Sequence, residues 1–170
     1  MQTIIRLPKP VIAQVHGIAT AAGAQLVASC DLAISSQEAR YATPGVNIGL
    51  FCSTPMVALS RNLSNKHAMQ MLLTGDLIDA QNAYRMGLVN EVVDADQLVT
   101  KTMELARKIA SKSPLTVAIG KEAYYRQAEL PLSEAYDYTK EVMVRNLEAR
   151  DAQEGISAFI EKRHPIWNGR

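Results

Sequence analysis

Hydrophobic and polar positions follow two regimes along this chain. Up to about residue 53 the apolar runs are short and broken by glycine and proline, as expected of brief strands joined by tight turns. Pro8-Lys-Pro10 leads into Val11-Ile-Ala-Gln-Val15 and then Gly17, which predicts a short buried strand ended by a turn. Ala19 to Ala28 is rich in small residues around Gly23, the composition of a helix whose start is pressed against another part of the chain. Asp31-Leu-Ala-Ile-Ser35 and Arg40-Tyr-Ala-Thr43 predict two further strands, closed by a turn at Pro44-Gly45. From Thr54 onward the period becomes helical. Thr54-Pro55, Ser64, Asp79, Asp94 and Ser113-Pro114 each stand as an N-cap before an apolar-periodic run, and Gly87 stands as a C-terminal stop. Asp94 to Ser111 puts Leu98, Leu105, Ala106 and Ile109 on one stripe, joined by Thr102 or Met103, with Lys101, Glu104, Arg107 and Lys108 elsewhere. Asp151-Ala-Gln-Glu154 has the form of a capping box opening a last helix that Pro165 ends.

No repeat, low-complexity tract or linker interrupts the chain, so one domain is expected, with residues 1–53 forming the strand-bearing core and 54–170 a helical region of the same domain. Three short strands are few for so many helices, which leads us to expect further strands N-terminal to this stretch. The 170 residues are 48% hydrophobic, enough for one core of that size. Charge changes the picture only by exclusion. Eighteen basic residues stand against 17 acidic ones, a net charge of +1, and the basic residues are spread over the helices, which argues against nucleic acid as the main partner. Cys30 and Cys52 lack the spacing of a zinc site, so a reducing compartment and no structural metal are expected. The apolar run from Ile18 to Ala28 is too short and too interrupted to span a membrane, and the first residues resemble neither a signal nor a transit peptide. The residues themselves give no location.

Lys9-Pro-Val-Ile-Ala13, His16-Gly-Ile-Ala19, Gly23-Ala-Gln-Leu26 and Cys30-Asp31 resemble the enoyl-CoA hydratase/isomerase, or crotonase, superfamily. Leu73-Thr-Gly-Asp76, Ala80-Gln81, Gly87-Leu-Val89, Glu154-Gly155 and Glu161-Lys-Arg163 continue the likeness in the family's order, and the run from Ala42 to Pro55 is most similar to one branch of it. The resemblance implies an α/β fold: a crotonase-like spiral of ββα units, lacking here its N-terminal third, followed by C-terminal helices that build a homotrimer or a dimer of trimers. It also implies a coenzyme A thioester as substrate or ligand, with no covalently bound cofactor and no metal. A mitochondrial matrix or a bacterial cytoplasm is the location that goes with it. The missing third would include the loop carrying the first oxyanion amide and much of the CoA-binding surface.

Chemistry beside a thioester carbonyl needs backbone N–H groups aimed at the oxygen, and a helix N-terminus adds its dipole there. The resemblance puts the second oxyanion amide on Ala22, followed by Gly23. Read alone, Ala19 to Ala24 favours the simpler reading of a tightly packed helix start. Hydration also needs an acid and a base, which the family supplies as two glutamates. At the corresponding positions this chain has Gln25 and Gly45. An amide has no titratable proton and glycine no side chain, and acid–base assistance is worth about 10²–10⁴-fold in rate. Ordinary hydratase and isomerase activity are therefore expected to be weak. Thr43, Asn47, Cys52, Ser53 and Thr54 flank the vacated position, but the simpler readings are favoured over a catalytic role, Thr54 as an N-cap and Cys52 as a small buried filler. Asp31 reads as a structural hydrogen-bonder, and His16, His67 and His164 have no visible metal or triad partner. Lys162 matches the family's lysine near CoA phosphates, with Arg163 beside it to assist; the alternative is a solvated turn in which both favour the helix dipole. Three functions stay open: an acyl-CoA enzyme of atypical chemistry, a catalytically weak CoA-binding or regulatory module, and an assembly subunit. The last uses the large side chains Tyr136, Tyr138, Val142, Met143, Leu147, Phe159 and Trp167.

Overall fold

A computed structural model describes residues 1–170. After a short helix α1 (Gln2–Arg6), the apolar run around Val15 forms β1 (Ile12–Val15), which pairs in parallel with β3 (Leu32–Ser36), Ile12 opposite Leu32 and Val15 opposite Ser35. Asp31 sets this register as the structural hydrogen-bonder expected: its Oδ2 accepts the Val11 N–H at 2.7 Å, and its own N–H donates to the Val11 carbonyl at 3.0 Å. The small-residue stretch is divided. Ile18–Thr20 is a strand, β2, which the pattern of side chains does not reveal, and the helix α2 (Ala22–Ser29) follows it. β4 (Arg40–Ala42) pairs in parallel with β2, and two more unforeseen strands, β5 (Ile78–Asp79) and β6 (Glu91–Val93), complete sheets of order β1-β3-β6 and β2-β4-β5. Parallel strands covered on both faces need continuous apolar or small residues. Ala33, Ile34, Tyr41 and Ala42 accordingly are buried. Tyr41 crosses between the sheets and donates its hydroxyl to Ser35 Oγ at 2.7 Å; burial pushes the phenol pKa up, and the bond to Ser35 opposes that shift.

Pro44-Gly45 opens a 3-10 helix (Pro44–Ile48) rather than a simple turn, ended by Gly49 at φ 75°. The helices α3 (Ser53–Asn62), α4 (Asn65–Thr74), α5 (Ala80–Met86) and α6 (Leu98–Ala110) follow. Ser64 and Asp79 cap α4 and α5 through bonds from the His67 and Asn82 amides, and Gly87 ends α5 at φ 87°. Thr54 is not a cap: α3 begins at Ser53, the cap position is Cys52 with no side-chain bond, and Pro55 sits within the first turn, where its missing N–H costs nothing. Asp94 likewise precedes a turn, and α6 starts only at Leu98.

The backbone divides into two compact units, one of Met1–Ile4 with Val11–Ala106, the other of Ile5–Pro10 with Arg107–Arg170. The division falls within α6, so residue 53 lies inside the first unit. That unit holds every strand and a core that includes Val15, Leu59, Met71, Leu72 and Val89. The second consists chiefly of α7 (Pro114–Gln127), α8 (Leu132–Glu148) and α9 (Arg150–Ile160). Here the expected capping box is absent. Ala149 occupies the cap of α9, and Asp151, inside the helix and buried, instead accepts Ser113 Oγ at 2.5 Å, the Asn168 N–H at 2.8 Å and the Gly169 N–H at 3.1 Å. The Ser113 hydroxyl first, then the Asn168 amide, hold its carboxyl below the usual carboxylate range. The tail outcompetes the cap because its N–H groups would otherwise be unsatisfied. The apolar face foreseen on the C-terminal helices is smaller than its sequence suggests. Val142 is buried, Tyr138 lies under Arg126 at 4.5 Å, and Trp167 donates to the Ser111 carbonyl at 2.8 Å; Tyr136, Met143, Leu147 and Phe159 are exposed.

Candidate active site

The site begins with a backbone kink. Between β2 and α2, Ala21 has φ 47° and ψ −110°, close to the first central position of a type II′ turn, which glycine normally fills. Its N–H donates to the Ala42 carbonyl at 2.9 Å, and its carbonyl accepts the Gln25 N–H at 3.0 Å, so the helix starts directly off the strand. The first amides of a helix have no intrahelical partner, and Ala21 brings no side chain to cap them.

The opposite wall is the segment from Pro44 to Pro55. It and the start of α2 line a depression of about 620 Å³ that contains Ala21, Ala22, Gly45, Asn47, Cys52, Ser53 and Thr54, rimmed by exposed Ile48, Leu50 and Phe51. No lining residue is Asp, Glu, His, Lys or Arg; Cys52 alone carries an ionisable side chain. Gly45 is closed in. A Cβ there would lie 2.7 Å from the Leu50 carbonyl oxygen and 2.9 Å from Cys52 Sγ. Cys52 is half-buried and packs against the core, and no disulfide joins it to Cys30.

Of the residues singled out by sequence, Ala22 and Gly45 thus meet in one depression. Gly23 and Gln25 do not line it. Gly23 borders a separate depression of about 480 Å³ shared with β1 and β2, and Gln25 is half-buried in the first turn of α2, its carbonyl accepting Ser29 Oγ at 2.7 Å. Thr43 is fully buried and its hydroxyl has no hydrogen-bond partner. The strained Ala21 escaped sequence reasoning because alanine carries none of the signal that glycine would give. Lys162 belongs to the second unit, exposed in the turn after α9. Arg163 pairs with Glu154 at 2.6 and 3.0 Å and with Glu161 at 2.5 Å, which raises its own pKa. No group of three His, Cys, Asp or Glu side chains is placed to hold a metal ion.

The model of the enoyl-CoA hydratase/isomerase family matches residues 1–170. The chain belongs to the enoyl-CoA hydratase/isomerase family. Similar relatives include the mitochondrial enoyl-CoA hydratase domain-containing protein 3 of Xenopus laevis, 54% identical over 161 residues, covering 95% of this chain and 55% of the relative. The Homo sapiens protein of that name is 52% identical over 168 residues, covering 99% and 55%. This is the branch to which the Ala42–Pro55 run is most similar. Among solved structures, an enoyl-CoA hydratase of Mycobacterium smegmatis superposes with a TM-score of 0.96 at 51% identity, covering 98% of this chain and 65% of that one. Human enoyl Coenzyme A hydratase domain-containing protein 3 does so with 0.95 at 53%, covering 98% and 66%. The crotonase fold implied by the resemblance is therefore the fold of this family member. The chain spans about half the length of the curated relatives it matches.

Proposed function

We propose that the protein binds acyl-CoA thioesters, with the thioester oxygen at the Ala22 amide, and that it performs ordinary enoyl-CoA hydration poorly. The observation that carries this reading is a depression opening on an uncapped helix N-terminus and lined by no carboxylate. The amide and the helix dipole would favour negative charge on the oxygen, with Gly23 following Ala22 in the same turn. The proton transfers that turn an enoyl thioester and water into a hydroxyacyl thioester would fall to positions 25 and 45, which hold Gln25 and Gly45. Neither exchanges protons. Within the second unit, Lys162 is the proposed contact for coenzyme A phosphates, its ammonium being a compact point charge suited to phosphate. Coenzyme A enters as part of the ligand and no covalently bound cofactor is involved. A catalytically weak CoA-binding module is favoured by the same absence of lining acids. A homotrimer or dimer of trimers fits the exposed side chains of α8 and α9, and the relatives named mitochondrial suggest the matrix, or the cytoplasm in a bacterial source. The test is turnover of crotonyl-CoA by the intact protein. We expect a rate at least about 10²-fold below that of a two-glutamate family member. A rate within about tenfold would overturn the reading, as would calorimetry showing no saturable heat with any acyl-CoA.

A further inference from the structure

Only two residues other than glycine have positive φ, Ala21 in the depression and Lys162 at φ 55° after α9. The helix ends there in a paired closure, the Lys162 N–H donating to the Phe159 carbonyl at 3.3 Å and the Arg163 N–H to the Ala158 carbonyl at 3.0 Å. That closure demands a left-handed residue at its centre, which is usually glycine because a Cβ is penalised. A lysine persists in such a place only where its surroundings over-determine the turn, and strain of this kind gathers at working sites. The surroundings are Glu154 and Arg163. Both oxygens of Glu154 accept from the Arg163 guanidinium, at 2.6 and 3.0 Å, and Oε1 also accepts the Ile166 N–H at 2.9 Å. Glu161 takes the remaining guanidinium edge at Nε, 2.5 Å away, and Nη1 reaches the His164 carbonyl at 3.3 Å. A forked guanidinium between two carboxylates fixes orientation as well as distance. The Arg163 bonds hold the Glu154 carboxyl at a pKa of about 2, so the pair is fully charged at neutral pH.

We infer that Glu154 and Arg163 are positioning residues whose ion pair holds the left-handed turn that presents the Lys162 ammonium to the phosphates of coenzyme A. The inference rests on the reading of Lys162 as the phosphate contact. Calorimetry with crotonyl-CoA and with crotonyl-pantetheine, which lacks the nucleotide phosphates, tests both on the intact protein. Glu154→Gln should weaken crotonyl-CoA roughly fivefold or more, within the range of couplings between residues of one network, and leave crotonyl-pantetheine unchanged. In a Lys162→Ala background it should add nothing. Arg163→Lys, which keeps the charge but loses the fork, should reproduce the effect and answers the question should Glu154→Gln not fold. A clamp that only supports the fold would weaken both ligands equally, or add its loss to that of Lys162→Ala, and either result overturns the inference. If Lys162→Ala alone leaves crotonyl-CoA affinity unchanged, the phosphate contact itself is wrong and the inference falls with it. Thermal unfolding gives a readout free of any ligand: Lys162→Gly should raise the midpoint by relieving the left-handed strain, and a lowered midpoint would remove the strain argument.

Discussion

Gly45 shows how a single position can be closed to any side chain. Its missing Cβ would fall 2.7 Å from the Leu50 carbonyl oxygen, a backbone atom that cannot swing aside as a side-chain end would. The Leu50 N–H is at the same time bonded to the Gly45 carbonyl at 2.9 Å, so the two residues hold each other in place. Gly45→Glu should therefore destabilise the fold by about 1–3 kcal/mol, the usual cost of overpacking, without bringing crotonyl-CoA hydration. Thermal unfolding and turnover of the same variant check it; a stable variant with gained hydration would show that the segment from Leu50 to Cys52 yields. At this scale the sequence is legible wherever the chemistry resides in the side chain itself. Gln25 and Gly45 announce by their identity that no acid or base stands there, and Asp31 is a structural acceptor as its place before a strand suggests. What is set by backbone angle or by distant competition is hidden, and Ala21, Thr43 and Asp151 are the instances.

Elements are legible where their signals are local. Ser64, Asp79 and Ser113 cap the helices they precede, because an N-cap needs only an amide three positions on. Ser113 does more than cap. Its Oγ accepts the Thr116 N–H at 3.1 Å while donating to Asp151 at 2.5 Å, so one hydroxyl joins the start of α7 to the interior of α9. Ser113→Ala should cost about 1–2 kcal/mol, the upper part of the range for lost caps, since the second bond goes with the first. Denaturant unfolding measures this, and a loss below a few tenths would mean that neither bond of the hydroxyl adds to stability. The strands β2 and β5 were hidden for the opposite reason. Ile18–Thr20 has three residues with Ile18 exposed, and it becomes a strand only by pairing with Arg40–Ala42 far along the chain. The Asp151–Glu154 motif misleads in the same way, since the tail that claims both carboxylates lies outside any local window.

Across the whole molecule, the ordered family likeness makes the fold class legible, whereas assembly depends on surfaces that no pattern measures. Phe159 is 84% exposed, Ile160 72% and Tyr136 63%, large apolar groups of a kind that subunit contacts usually cover. We expect a trimer or a dimer of trimers, and a strictly monomeric mass by light scattering at micromolar concentration would refute it. The sheet order carries a consequence of another kind, for the order of events as the chain folds. β3 lies between β1 and β6, yet the bonds that fasten it span very different stretches: Val11 to Asp31 bridges 20 positions, Ala33 to Asn90 bridges 57. Each doubling of a closed loop costs roughly 0.6 kcal/mol of chain entropy, so the nearer pair has the lead by about 1 kcal/mol. The nucleus should then contain β1 and β3, with β6 zipping on after the barrier is crossed. In stopped-flow experiments Asp31→Ala should slow refolding, while Asn90→Ala should leave refolding almost untouched and quicken unfolding. Equal slowing of refolding by both would mean that the long loop closes before the barrier.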